Sequence, residues 1–322
     1  MQELSTLPVL STASMIPWLT LRLGAAFLVA CALALRGVRR GSLAPSGAVA
    51  ALVVGTITLA ADLAFGASLI VFYLTGSAAT RLRSEVKARY DLEHRQSGGQ
   101  RDWTQVVATA GVAAALSLVW IYLFGSAGKQ PSLVFASDPG ASMLFVAVVS
   151  SLAFSCGDTW ASELGILAHG DPRLITNCRR VPRGTNGAIS ALGTASSFVG
   201  GGTIGIASLA AMLLTQWVRR STGVAVSPAQ DALSPAWIVP IAAAAGTLGS
   251  LLDSILGAVL QRTWQQKSTG KITSRCPRTG ERAAFAVVAG YNVLSNEMVN
   301  LLASAATAGL TAVCAARVFG GL

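Results

Sequence analysis

The chain has 322 residues, of which 52% are hydrophobic and 12% charged; soluble domains carry roughly 25% charged residues. Residues 41–61, 103–128, 139–157, 184–218, 232–252 and 298–316 contain no Lys, Arg, Asp or Glu, and such runs match the ~17–25 residues needed to cross a bilayer core. One soluble core cannot hide that many, so an all-α, polytopic membrane protein of about 8 spans (7–9) is expected, as a single integral-membrane domain over 1–322. The net charge of +10 would suggest nucleic acid in a soluble protein. Here the basic residues lie between spans, and no nucleic-acid partner is expected. Five cysteines, without CxxC spacing, define neither a disulfide framework nor a zinc site.

In chain order the spans are expected at 16–35, 44–63, 66–80, 104–124, 140–156, 187–216, 236–260 and 284–316. The start of the third at Gly66 suggests a tight hairpin with the second. Gly200-Gly201-Gly202 is a candidate break in the sixth, because glycine weakens a helix and permits close approach. Loops 36–43, 81–103, 157–186 and 261–283 hold nineteen Lys and Arg, against four in the alternate connections. That alternation places the basic loops in the cytosol or its equivalent. Trp18, Trp103, Trp217, Trp237 and Trp264 fall near span ends, as an interfacial belt would. With no basic residue before Arg22, the N-terminus resembles neither a secretory signal nor an Arg-rich transit peptide. Loop 81–103 mixes signs at helical spacing and reads as a solvated amphipathic helix, from which Arg83 and Lys87 could reach phosphates.

Acids inside a bilayer cost about 2.5–3.5 kcal/mol each on insertion scales, so those in or beside spans mark function. Asp62 ends the second span on the charge-poor side and is expected to be exposed. Asp158, Glu163, Asp253 and Glu297 lie toward the basic side. In Gly157-Asp158-Thr159-Trp160-Ala161-Ser162-Glu163, Asp158 is either an N-cap or, with Glu163 and Asp253, part of a hard-cation site for Mg²⁺ carrying substrate phosphates. Arg179, Arg180 and Arg183 precede a Gly184-Thr185-Asn186-Gly187 turn and Ser190, expected to open a long helix; that arrangement suits an anion. Asp253 shares a small-residue stripe with Gly246, Gly249, Ser250 and Gly257. Asn292, Asn296 and Asn300, four apart, would form a polar stripe that serves as helix glue or as part of a site. His94 and His169 read as surface residues.

The motifs GDTWASELG, VPRGTNGAIS, GSLLDSILGAVLQ and LSNEMVNLL, with RGSLAPSG and FYLTGSAATRLRSEVK, resemble the integral-membrane family containing plant phytyl phosphate kinase and animal transmembrane protein nineteen. The similarity covers nearly the whole chain, and departs at Ala188, where a second glycine would be expected. The resemblance implies a kinase that phosphorylates an isoprenoid monophosphate, as in tocopherol synthesis, with CTP as the favoured donor. It suggests a plastid or other organelle membrane. On that reading Asp158, Asp253 and Glu163 hold Mg²⁺. Arg179, Arg180, Arg183 and Lys87 neutralise phosphates, while Gly184, Thr185, Asn186, Gly187 and Ser190 cradle them. Asn296 and Asn300 orient the acceptor or the cation's ligands. A cytidylyltransferase, or a transporter or flippase of a phosphorylated lipid, would use the same residue types.

Overall fold

The computed structural model describes residues 12–90, 92, 99–125, 132–223 and 233–320, with side chains from residue 20 onward. Among them are nine α-helices: α1 (Thr12–Arg39), α2 (Pro45–Ala61), α3 (Leu63–Arg81), α4 (Ser84–Lys87), α5 (Trp103–Phe124), α6 (Pro139–Gly165), α7 (Ala191–Ser221), α8 (Ile238–Leu260) and α9 (Asn296–Phe319). Seven segments are long and apolar enough to cross a membrane: Thr20–Arg39 of α1, then α3, α5, α6, α7, Pro235–Leu260 around α8, and α9. The remaining apolar helix, α2, has 17 residues and rises about 26 Å at 1.5 Å per residue. The protein is therefore a multi-pass helical membrane protein, with α2 short in the place of the second expected span.

Two expected spans end differently. The run 284–316 enters as a 3-10 turn and a strand, β5 (Phe285–Ala289), and its helix starts only at Asn296. Charge-free sequence serves strand and helix alike, and here β3 (Thr263–Gln266) recruits β5 on one side and β4 (Ile272–Thr273) on the other. The segment 187–216 also starts late. Ala188–Ile189 is a short strand, β2, antiparallel to β1 (Arg173–Leu174), and α7 begins at Ala191 under a Ser190 cap that accepts from the Gly193 N–H.

Helix α6 is the hub, packed against α3, α5, α7, α8 and α9, and 83% of its apolar window is buried, against 22–44% in the other spans. At the end away from the basic loops an aromatic layer fills the centre. Phe65 of α3 meets Trp120 of α5 edge-on at 5.4 Å and stacks on Phe145 of α6 at 5.7 Å. Asp62, expected at the surface there, is buried. As the N-cap of α3 it accepts from the Ala64 N–H at 2.7 Å, while Arg22 Nη2 donates to the neighbouring Ala61 carbonyl. A residue that must close two helix ends in one step cannot stand out in solvent.

Helix α7 runs unbroken through Gly200-Gly201-Gly202. The triplet serves close approach, the other property expected of it. A Cβ on Gly201 would lie 2.5 Å from the Ala242 carbonyl oxygen and 3.0 Å from Gly246 Cα on α8. One on Gly200 would lie 3.0 Å from Gly157 Cα on α6. Three backbones thus touch where side chains normally separate them. Gly202, whose nearest neighbour would be 3.8 Å away, is free of this constraint. Gly201→Ala should destabilise by about 1–3 kcal/mol through overpacking. Gly202→Ala should be neutral or gain up to about 1 kcal/mol in helix propensity. Thermal unfolding of the two variants in detergent compares them directly.

Candidate active site

At the basic end of the bundle, α5, α6, α7, α8 and α9 surround a polar cavity of about 410 Å³. Asp158 lies seven residues before the end of α6 and Asp253 seven before the end of α8, so both sit about 10 Å below the helix ends at 1.5 Å per residue. Asp158 is inside a continuous helix and caps nothing. Ser250, one turn from Asp253, donates to Asp158 Oδ1 at 2.9 Å. Both side chains line the cavity, and among the described residues Asp253 Oδ1, shut off from solvent, has no hydrogen-bond partner.

Among the described residues neither Asp158 nor Asp253 has an ion-pair partner. Two such carboxylates, one with a bare buried oxygen, fit a divalent cation that prefers oxygen ligands. No group of three His, Cys, Asp or Glu side chains suited to a metal forms among the described residues. Further oxygen ligands would come from phosphate, water or the neutral side chains of the wall, as is usual where Mg²⁺ is carried with a nucleotide.

Glu163, expected beside these two acids, lines the same cavity and is held by two donors. It accepts from Lys87 Nζ at 2.6 Å and from Thr80 Oγ1 at 2.7 Å. Lys87, expected to meet phosphate, is 2% exposed and also donates to the Ala79 and Thr80 carbonyls. It thereby closes the C-terminal end of α3 and fixes α4 beneath it, and it does not line the cavity. Of the amphipathic helix expected over 81–103, the described residues show α4, the turn after it and a helical Leu92, and His94 lies outside them. His169 is exposed.

The arginine motif divides. Arg183 lines the cavity, with its guanidinium 5.1 Å over the Tyr90 ring and donating to the Ile166 carbonyl. Arg179 and Arg180 are exposed and outside the lining, and Arg179 donates to the Val288 carbonyl of β5. Gly184, Thr185, Asn186, Gly187 and Ser190 all line the wall, but the turn is separated from α7 by β2. It is also tied down: Thr185 Oγ1 donates to the Pro182 carbonyl, the Asn186 N–H to Thr263 Oγ1, and Asn186 Nδ2 to Ser274 Oγ. Gly187 has φ of 73°, and a Cβ there would sit 2.4 Å from Ala258 Cβ. The turn is therefore pressed onto α8 and leaves no room for a side chain. Asn296 and Asn300 reach the cavity with Glu297; Asn292 lies before α9 begins, so the stripe has two members.

Arg101, counted in the sequence only as a loop charge, also lines the cavity. Its guanidinium lies 5.6 Å over the Phe72 ring, and Gly76 leaves it space. Burial lowers its pKa, with the charge of Glu163 opposing that shift. It precedes Asp102, which opens α5 in a reciprocal capping box with Gln105. The Thr104 hydroxyl holds the Asp102 carboxyl below its ordinary pKa. A capping signature just after an arginine was the available hint. Of the tryptophans, Trp103, Trp217 and Trp237 are exposed, whereas Trp264 is buried in β3 under Arg262.

Fold and cavity together define a multi-pass membrane protein with a pocket at one membrane face that is lined by four carboxylates and two arginines. The chain belongs to the integral membrane protein DUF92 family, whose model matches residues 28–308, the family to which the sequence motifs point. It is 33% identical to Protein PGR of Arabidopsis thaliana over 299 residues, 92% of this chain and 98% of that protein. It is 28% identical to an uncharacterized membrane protein of Synechocystis over 250 residues, 77% and 82% of the two chains. A third relative, Protein VTE6, chloroplastic, of Arabidopsis thaliana, is 30% identical over 154 residues, 47% of this chain and 42% of that protein. No solved structure matches.

Removing one partner of a buried ion pair costs about 3–5 kcal/mol. Lys87→Met should therefore lower the unfolding temperature sharply, and the double variant Lys87→Met/Glu163→Leu should recover most of the loss. Thermal unfolding in detergent reads both. No recovery in the double variant would mean that the pair is not the source of the loss.

Proposed function

We propose that the protein is a phosphotransferase working at the membrane face. It moves the γ-phosphate of a nucleoside triphosphate onto an isoprenoid monophosphate, of which phytyl phosphate is the type, to give the diphosphate. The observation that carries this reading is the Asp158–Asp253 pair, two acids in one cavity with an unpartnered buried oxygen on Asp253, which suits a cation beside the cavity's Arg101 and Arg183. Membership of the family and the motif resemblance support the isoprenoid acceptor, and the resemblance alone points to CTP.

Phosphoryl transfer needs positioning and charge neutralisation more than covalent help from protein. Mg²⁺ held by Asp158 and Asp253 would supply charge neutralisation on the triphosphate. Arg183 and Arg101 would take the remaining phosphate charge, and Thr194, Ser197, Asn296 and Asn300 on the wall would orient oxygens. An oxygen of the acceptor monophosphate attacks the γ-phosphorus. The bond to the β–γ bridging oxygen breaks, and the nucleoside diphosphate leaves with that electron pair. A phosphate monoester has a second pKa of ≈ 6, so the attacking oxygen is ionised at neutral pH and needs no general base. Exposed Arg179 and Arg180 would raise the local concentration of anionic substrate by long-range attraction. The aromatic layer of Phe65, Trp120 and Phe145, which fills the opposite end, argues against a path for transport through the bundle.

The test follows labelled γ-phosphate from CTP, ATP, GTP and UTP to phytyl and geranylgeranyl monophosphate with Mg²⁺, using purified protein in detergent. Transfer is expected with release of the nucleoside diphosphate. Asp158→Asn or Asp253→Asn should reduce it by about 10²–10³-fold, the scale of losing one charge-stabilising group. Release of diphosphate from the nucleotide would assign nucleotidyl transfer instead. Lipid binding without any transfer would return the case to a transporter.

A further inference from the structure

A second cavity adjoins the first. It lies among α1, α2, α3 and α5, and its walls are apolar: Ala34, Val54, Leu59, Leu69 and Ala110 are typical. It shares Arg101 and Thr109 with the polar cavity. From Leu43 and Arg101 at the basic end it passes along α2 from Ala51 to Leu59, a rise of about 12 Å, and reaches within a turn of that helix's far end. Tyr73 also lines it, with its hydroxyl engaged by Ser42 at the rim. The Arg101 guanidinium, at the seam, has no carboxylate within ion-pair distance among the described residues.

We infer that this crevice holds the hydrocarbon tail of the phosphorylated acceptor, with its phosphate on Arg101 at the boundary of the two cavities. The inference rests on the reading of the polar cavity as a lipid-phosphate transferase site and extends it to the acceptor's pose. Charge and continuity select the occupant. An apolar slot ending at a half-buried cation fits a molecule that is apolar along its length and anionic at one end. The crevice is small, about 70 Å³. It takes the carbons nearest the phosphate, and the rest of the tail runs on into lipid. Leaving lipid for this slot brings little hydrophobic gain, since lipid tails are as apolar as the lining. Shape near the phosphate, rather than total chain length, therefore sets selectivity, and Arg101 is the residue that positions the acceptor.

Photo-crosslinking of the full-length wild-type protein in nanodiscs tests this without depending on turnover. One prenyl monophosphate probe carries a diazirine in the unit next to the phosphate, and a second carries it at the far end. The near-end probe should label lining residues of α2, α3 or α5. The far-end probe should label lipid-facing residues, and excess phytyl phosphate should compete with both. Ala51→Phe, which narrows the slot, should lower near-end labelling and transfer to phytyl phosphate by about tenfold, the lower range for apolar pocket discrimination. Arg101→Gln should raise KM for the acceptor more than for the nucleotide. Near-end labels confined to other helices, or labelling unchanged in Ala51→Phe, overturn the pose. Correct labelling with no transfer by the wild type would keep the pose and reject the transferase reading.

Discussion

The backbone contact of α6, α7 and α8 governs this molecule. Gly157, Gly200, Gly201 and Gly246 let three helices approach until any Cβ among them would collide. Asp158 is the next residue after Gly157, and Ser250 lies one turn beyond Gly246. The glycines therefore set the distance between the two walls that carry the acids. With side chains between the helices, the Ser250–Asp158 hydrogen bond at 2.9 Å would open and the carboxylates would part. Small-residue packing gives a membrane bundle its cohesion, and the same packing here builds an expensive electrostatic feature.

The cavity has a division of sign. Helices α6 and α8 point their C-terminal ends toward it, while α5, α7 and α9 begin there. Helix starts carry partial positive charge and helix ends partial negative charge, felt within about a turn. Asp158 and Asp253 lie on the two helices that end at this face, while Ser190, Arg101 and Asn296, with Glu297 beside it, lie at the starts of the other three. A cation and a polyphosphate can thus occupy neighbouring walls without competing for them. Above, Thr273 and Ser274 of the β3–β4 hairpin complete the wall. The hairpin is tied to the loop after α4 through the Ile272 N–H to the Tyr90 carbonyl and Lys271 to the Ala88 carbonyl.

Much of this was legible in the sequence because membrane burial makes charge conspicuous. Asp158 and Asp253 stand at the edges of runs without charge, each beside small residues, and those two signals suffice to place them in one site. Glu163 shows where such reading stops. It lines the cavity, but its partners Lys87 and Thr80 lie 76 and 83 positions away, and no periodicity announces a pairing at that range. The strand Phe285–Ala289 was hidden for a different reason, since an apolar run alone does not distinguish a strand from the start of a helix. Arg101 was hidden by its neighbours, because a lone arginine in a basic loop is what topology already requires.

The hydrogen bond between Ser250 and Asp158 joins residues 92 positions apart, with a whole helix, α7, made between them. During synthesis α6 enters the membrane with its acid unmatched, and stays so until α8 arrives. A chain that stops before that point would carry an intramembrane carboxylate without its Ser250 donor, and the glycine faces of α6 and α7 without the α8 backbone that covers them. The acid of α6 is thus matched only when the later helices are in place.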